Sequence, residues 1–118
     1  AFQLARTIVC ASAREVADRA TVVFLCLPSV EASQAVARAL APGRAVRVVV
    51  ETSTVGPAGV REMAAVLAAH GIGVVDAPVS GGPTGADAGT LSVMHSGQAG
   101  HVTAALPQLQ ALAGKRFD

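Results

Sequence analysis

Short apolar runs alternate with helically spaced segments along this chain, and that alternation leaves few folds open. The β-branched runs are Thr7-Ile8-Val9, Thr21 to Leu27, Val46 to Val50, Gly73 to Asp76 and Leu91 to Met94. The longer two are nearly continuous in apolar character, which marks strands of a sheet covered on both faces. Between the runs, apolar residues recur at helical spacing. Ser12 and Glu15 form a capping box for a helix to about Ala20. Ser29, followed by Glu31, opens a second helix that reaches about Leu40. Pro57 opens a third, with Val60, Met63, Ala64 and Leu67 on one stripe, and His70-Gly71 ends it. A fourth is predicted from about Ala99 to Ala113 along Val102, Ala105, Leu106, Leu109 and Ala113, with Pro107 breaking or kinking it. Strand–helix–strand alternation with short connections implies an α/β fold, a doubly wound parallel sheet. Parallel strands are expected near 21–27, 46–50 and 73–77, with helices on both faces and a further strand near 91–95.

With 118 residues, 52% of them apolar, the chain suits one core. Aromatic residues are only 3%, with no Trp or Tyr, so that core must be built from Val, Leu, Ile and Ala. Nine basic and eight acidic residues are spread along the chain without a basic block, which argues against a nucleic-acid partner. No apolar run reaches the roughly 18 residues that span a bilayer, and no signal segment opens the chain. No membrane partner and a cytoplasmic location are therefore expected. Cys10 and Cys26 form neither a CxxC nor a His-Cys cluster, so no metal site is assigned and both are expected as buried thiols in a reducing compartment.

In a parallel sheet of this kind, ligands bind beyond the carboxyl ends of the strands. Three segments stand there. Cys26-Leu27-Pro28-Ser29 must turn, because Pro cannot continue a central strand. Glu51-Thr52-Ser53-Thr54-Val55-Gly56-Pro57 places three hydroxyls before a helix, either as caps or as ligand contacts. Asp76-Ala77-Pro78-Val79-Ser80-Gly81-Gly82-Pro83-Thr84-Gly85 reads as a tight loop stiffened by prolines. Gly81 and Gly82 let an anion approach the backbone there, although the same residues suit an ordinary turn. His70 reads as a helix C-terminal residue facing the dipole, His101 as solvated, and His95, which follows a core strand at the carboxyl edge, is assigned no catalytic role. Asp76 reads as a structural carboxylate bonded to loop N–H groups.

Taken together, these motifs resemble the β-hydroxyacid dehydrogenase family, typified by 3-hydroxyisobutyrate dehydrogenase. The resemblance rests on Asp76 to Gly82, Gly85-Ala-Asp-Ala-Gly-Thr-Leu91 and Val93-Met94, preceded by Leu27-Pro28 and by Ser53-Thr54-Val55 with Pro57. It extends from about Ala13 to Arg116 and includes Pro107. It implies a Rossmann-like domain that binds NAD or NADP, with residues 1–118 forming part of it. Leu27 and Pro28 would contact the adenosine side of the cofactor, and Thr54 its nicotinamide half. Ser80, Gly81 and Gly82 would hold the carboxylate of a small 3-hydroxy acid or its semialdehyde. The reaction implied is oxidation of the hydroxyl by hydride transfer to the nicotinamide, in a parent enzyme that is a homo-oligomer.

Departures from the family pattern also bear on function. No G-x-G-x-x-G occurs, and Gly43 is the only glycine before Gly56. The family's catalytic lysine lies downstream of this domain. The single lysine, Lys115, precedes an expected strand and does not match it, so no catalytic residue is assigned. Gly56 stands where the family often has a polar or acidic residue, and His95-Ser96 where Val-Gly is common. The chain opens with Ala1 and is expected to be truncated at both ends, lacking the first strands and the C-terminal helical domain. Alone it is expected to be inactive. The strand at 21–27 would then have an open edge, so either aggregation or pairing of the 7–10 segment there is expected. Alternatives are a truncated or degenerate Rossmann module that only binds, or a 2-hydroxy-3-oxopropionate reductase, imine reductase or 6-phosphogluconate dehydrogenase-like enzyme.

Overall fold

The computed structural model describes residues 7–117, and the side chains of residues 7–111. The elements in chain order are α1 (Ala13–Arg19), β1 (Val22–Leu25), α2 (Val30–Leu40), β2 (Val48–Glu51), α3 (Gly56–Ala68), β3 (Gly73–Asp76), β4 (Val79–Ser80), α4 (Gly82–Ala88), β5 (Leu91–Met94), α5 (Ala99–Leu112) and β6 (Ala113–Phe117). β1, β2 and β3 form a parallel sheet, as the alternation predicts, and they lie in the order β1-β2-β3.

Residues along each strand point to opposite faces in turn. Val23, Leu25 and Val49 pack with Ala17 of α1, Ala37 and Leu40 of α2, and Met63 and Leu67 of α3. Val48, Val50 and Val75 face the other way, onto Ala105 and Leu109 of α5. The sheet is thus covered on both faces, which explains its continuous apolar runs. Small residues allow the close layers. A Cβ on Gly43 would collide with Ala17, and one on Gly73 with the His101 ring. His101 is therefore packed against β3 and half-buried rather than solvated.

The predicted caps form. Ser12 Oγ accepts the Glu15 N–H at 3.2 Å, and Ser29 Oγ accepts the Ala32 N–H at 3.1 Å. Pro57 sits in the first turn of α3. After β3 the chain bends at Pro78 and runs antiparallel to β5. Asp76 pairs with Ser96, Val79 with Val93 and Ser80 with Ser92, all in one register. The Met94 N–H donates to the Pro78 carbonyl at 3.1 Å, but Pro78 has no N–H to return, so the ladder is interrupted there. β6 lies parallel to β5.

Several expectations are corrected. Thr7 to Val9 form no strand, and Ile8 and Val9 are 70% and 64% exposed. β-branched residues favour a strand only when a partner and a packing surface exist. The 7–10 segment does not pair with β1, whose only strand partner among the described residues is β2. The glycine-rich loop after β4 contains a helix, α4, in which Gly85 packs on Leu91. Pro107 does not break α5. It is exposed, and the bond it forfeits is the one to the Thr103 carbonyl. Ala113 begins β6, which contains Lys115, rather than ending the helix. Cys26 is exposed and Cys10 half-buried, because both lie outside the strands.

Candidate functional site

Three loops leave the carboxyl ends of β1, β2 and β3. The turn after β1 carries Leu27, half-buried, and Pro28, exposed. The loop after β2 carries Thr52, buried, Ser53, half-buried, and Thr54, exposed. None of these three hydroxyls caps α3. Its N-cap is Val55, with no side-chain bond. Thr52 and Ser53 instead reach back to the neighbouring strand end. Thr52 donates to the Leu25 carbonyl twice, from its N–H at 2.9 Å and from Oγ1 at 2.6 Å. Ser53 Oγ accepts the Leu27 N–H at 2.6 Å, and the Ser53 N–H donates to Glu51 Oε1 at 2.9 Å. The first two loops are therefore bolted together through side chains. Thr54 and Pro28, each one residue beyond a bonded residue of the joint, are exposed.

Ser80, Gly81 and Gly82 stand apart from this joint. Ser80 ends β4 and is exposed. Gly81 has φ 133° and Gly82 φ 60°, both in the region that favours glycine. A Cβ on Gly82 would meet nothing within 4 Å, so its outer face is open, whereas one on Gly81 would crowd Leu91 at 3.1 Å. No hydrogen bond among the described residues ties this segment to Leu27 or Thr54.

Two carboxylates that the sequence reading did not pick as site residues complete the edge. Glu51 and Asp76 are register partners at the ends of β2 and β3. Glu51 is fully buried, and its Oε2 has no hydrogen-bond partner among the described residues. Asp76 is held above the usual aspartate range by burial first and by the Glu51 charge second. Its side chain bonds to no loop N–H among the described residues, contrary to expectation. The signal in the sequence was an acid closing the run Val48-Val49-Val50, where a strand covered on both faces forces burial. Beside them, a cavity of about 370 Å³ is lined by Pro57, Arg61 and Ala64 of α3 with Asp76, Ser96 and Gly97. Among the described residues no cluster of His, Cys, Asp or Glu could hold a metal ion, and no helix is long and apolar enough to cross a membrane.

This arrangement, with loops gathered at the carboxyl edge of a parallel sheet, is that of a dinucleotide-binding domain. Residues 1–117 match the family model described as the NAD binding domain of 6-phosphogluconate dehydrogenase, and the chain belongs to that family. It is 39% identical over 89 residues to a 2-(hydroxymethyl)glutarate dehydrogenase of Eubacterium barkeri, covering 72% of this chain and 30% of that protein. It is 37% identical over 105 residues to a probable 3-hydroxyisobutyrate dehydrogenase of Mycobacterium tuberculosis, covering 88% of this chain and 36% of the relative. Among solved structures, the 3-hydroxyisobutyrate dehydrogenase of M. tuberculosis with L-serine superposes with a TM-score of 0.84 at 34% identity, covering 92% of this chain and 38% of that one. The chain therefore spans 30% to 38% of the length of these relatives.

Proposed function

We propose that residues 1–118 are part of the NAD(P)-binding domain of an oxidoreductase that acts on the hydroxyl of a small 3-hydroxy acid. The observation that carries this reading is the Leu27–Ser53 bond, which joins two strand-end loops into one ledge at the carboxyl edge. The residues present fit a dinucleotide. Pro28 offers an exposed apolar surface beside the half-buried Leu27, suited to the adenosine side. Thr54 offers an exposed hydroxyl one residue beyond the joint, suited to the nicotinamide half. When bound, NAD or NADP supplies the hydride acceptor. The chain's own part is to bind and orient.

Substrate binding is assigned to Ser80, Gly81 and Gly82. Ser80 supplies a neutral donor, Pro78 and Pro83 stiffen the chain, and the open face of Gly82 admits a carboxylate. A neutral donor set suits a ligand that must leave after turnover. The substrate class is a 3-hydroxy acid or its semialdehyde, the parent enzyme is a homo-oligomer of the cytoplasm, and no nucleic acid or membrane takes part. No catalytic residue is assigned within these 118 residues, because Lys115 lies in β6.

Kinetics of a full-length enzyme carrying this domain test the assignment. Gly82→Val is expected to raise KM sharply, because a branched side chain fills the carboxylate's place. Ser80→Ala is expected to cost about 0.5–3 kcal/mol in kcat/KM, the range for one hydrogen bond to a neutral or charged partner. NAD(P) affinity should barely change in either. Wild-type kinetics for both variants on every 3-hydroxy acid tried would show the segment to be a structural turn.

A further inference from the structure

Glu51 is the only fully buried carboxylate among the described residues. One oxygen is engaged, since Oε1 accepts the Ser53 N–H at 2.9 Å. The other, Oε2, is buried without a donor among the described residues. A buried acceptor in that state is costly, more so if charged, and native structures rarely leave one. A second carboxyl group stands beside it in the sheet. Asp76 occupies the neighbouring register position on β3, and parallel register partners carry their side chains on the same face. That face is the one on which Leu25 and Val49 pack under α1 to α3. As two carboxylates the pair would repel and leave Oε2 empty. With one proton it becomes a donor and an acceptor.

We propose that Asp76 binds a proton from solvent and donates it to Glu51 Oε2, so that the ends of β2 and β3 form a proton-binding latch that holds the 52–54 loop. The latch continues through two hydrogen bonds, from the Ser53 N–H to Glu51 Oε1 and from the Leu27 N–H to Ser53 Oγ. Deprotonation of Asp76 places a second negative charge against Glu51 and loosens its hold on Ser53. Burial and the Glu51 charge both favour the protonated form of Asp76. Four other titratable groups stand on the surrounding elements. Arg61 of α3 and His95 after β5 each line a cavity with Asp76. Glu62 of α3 accepts from Gln34 of α2 at 2.5 Å, and Glu31 in the first turn of α2 is exposed. The latch goes beyond the assignment of function and does not depend on it, since it operates whether or not the loop contacts a dinucleotide.

Carbon-13 carboxyl NMR of the 118-residue chain against pH, with the Ser53 amide shift followed in the same samples, tests the latch. Asp76 is expected to titrate above the ordinary aspartate range, and the Ser53 amide to move with the same midpoint. In Glu51→Gln the carboxamide still accepts from Ser53 and now donates to ionised Asp76, so the Asp76 midpoint falls. In Asp76→Asn the carboxamide donates to Glu51 at every pH, so the Ser53 transition disappears. An Asp76 midpoint in the ordinary range overturns the proposal. So does a midpoint unchanged in a folded Glu51→Gln, or a Ser53 transition that survives in Asp76→Asn. If Glu51→Gln does not fold, the wild-type and Asp76→Asn titrations decide by themselves.

Discussion

The joint after β1 and β2 and the segment Ser80 to Gly82 are the two proposed binding regions, yet they are built differently. At the joint, side chains do the positioning. Thr52 and Ser53 hold Leu25 and Leu27 through buried or half-buried hydrogen bonds, above a core of Val23, Val49, Met63 and Leu67. At Ser80 to Gly82, the backbone does it. Two positive-φ glycines set the direction, and the space around Gly82 is open. A joint of the first kind loses geometry when one side chain is trimmed. One of the second kind tolerates trimming and fails when a Cβ is added. The contrast suits a long ligand laid across a rigid ledge beside a small anion admitted through open space.

The contrast can be broken from either side. The largest expected effect is in the core beneath the joint. Leu67 is fully buried, and Leu67→Ala should cost about 2–5 kcal/mol of stability in urea unfolding. Gly82→Val should cost less, about 1–2 kcal/mol from left-handed backbone strain, with the amide spectrum of β1 to β3 unchanged. Equal costs in the two variants would mean that the regions are one packing unit and that the contrast is wrong.

Much of this was legible beforehand, for identifiable reasons. The parallel direction of β1 to β3, the caps at Ser12 and Ser29 and the opening of α3 at Pro57 follow from local chemistry and from runs long enough to show their period. The rest depended on partners. Thr7 to Val9 look like a strand but pair with no strand among the described residues. Gly82, Pro83 and Gly85 look like a turn, yet Gly85 fits under Leu91 and a short helix forms. Cys26 looks like a core thiol but lies one residue past β1, on the turn. At the site, Leu27, Pro28 and Thr54 were visible as strand-end residues. The Thr52–Ser53 joint and the Glu51–Asp76 pair were not, because which strands adjoin, and in what register, is not written in any one segment.

Two smaller effects sharpen the account of the joint. Asp76→Asn should stabilise the fold near neutral pH by about 1 kcal/mol, the scale of supplying a donor to a buried acceptor. In the wild type the contribution of Asp76 is full below the ordinary aspartate range and is lost as pH rises through its raised value, because the folded chain binds that proton more tightly than the unfolded one. The variant should lack that decline in urea unfolding run across the acid-to-neutral range. Thr52→Val should cost about 0.5–1.5 kcal/mol, the net worth of the hydrogen bond from Oγ1 to the Leu25 carbonyl. A Thr52→Val chain as stable as wild type would move the joint's strength onto Ser53.

The central claim is that the ledge of Leu27, Pro28 and Thr54 receives the dinucleotide, and an amide NMR titration of this chain with NAD and with NADP tests it most directly. The predicted result is saturable shift changes confined to residues 26–29 and 53–56. The fitted dissociation constant should be weaker than micromolar, that is, less favourable than about −8 kcal/mol, since no glycine-rich pyrophosphate turn occurs in these 118 residues. Unchanged Leu27 and Thr54 amides at saturating cofactor, or changes centred elsewhere on the sheet, would contradict it.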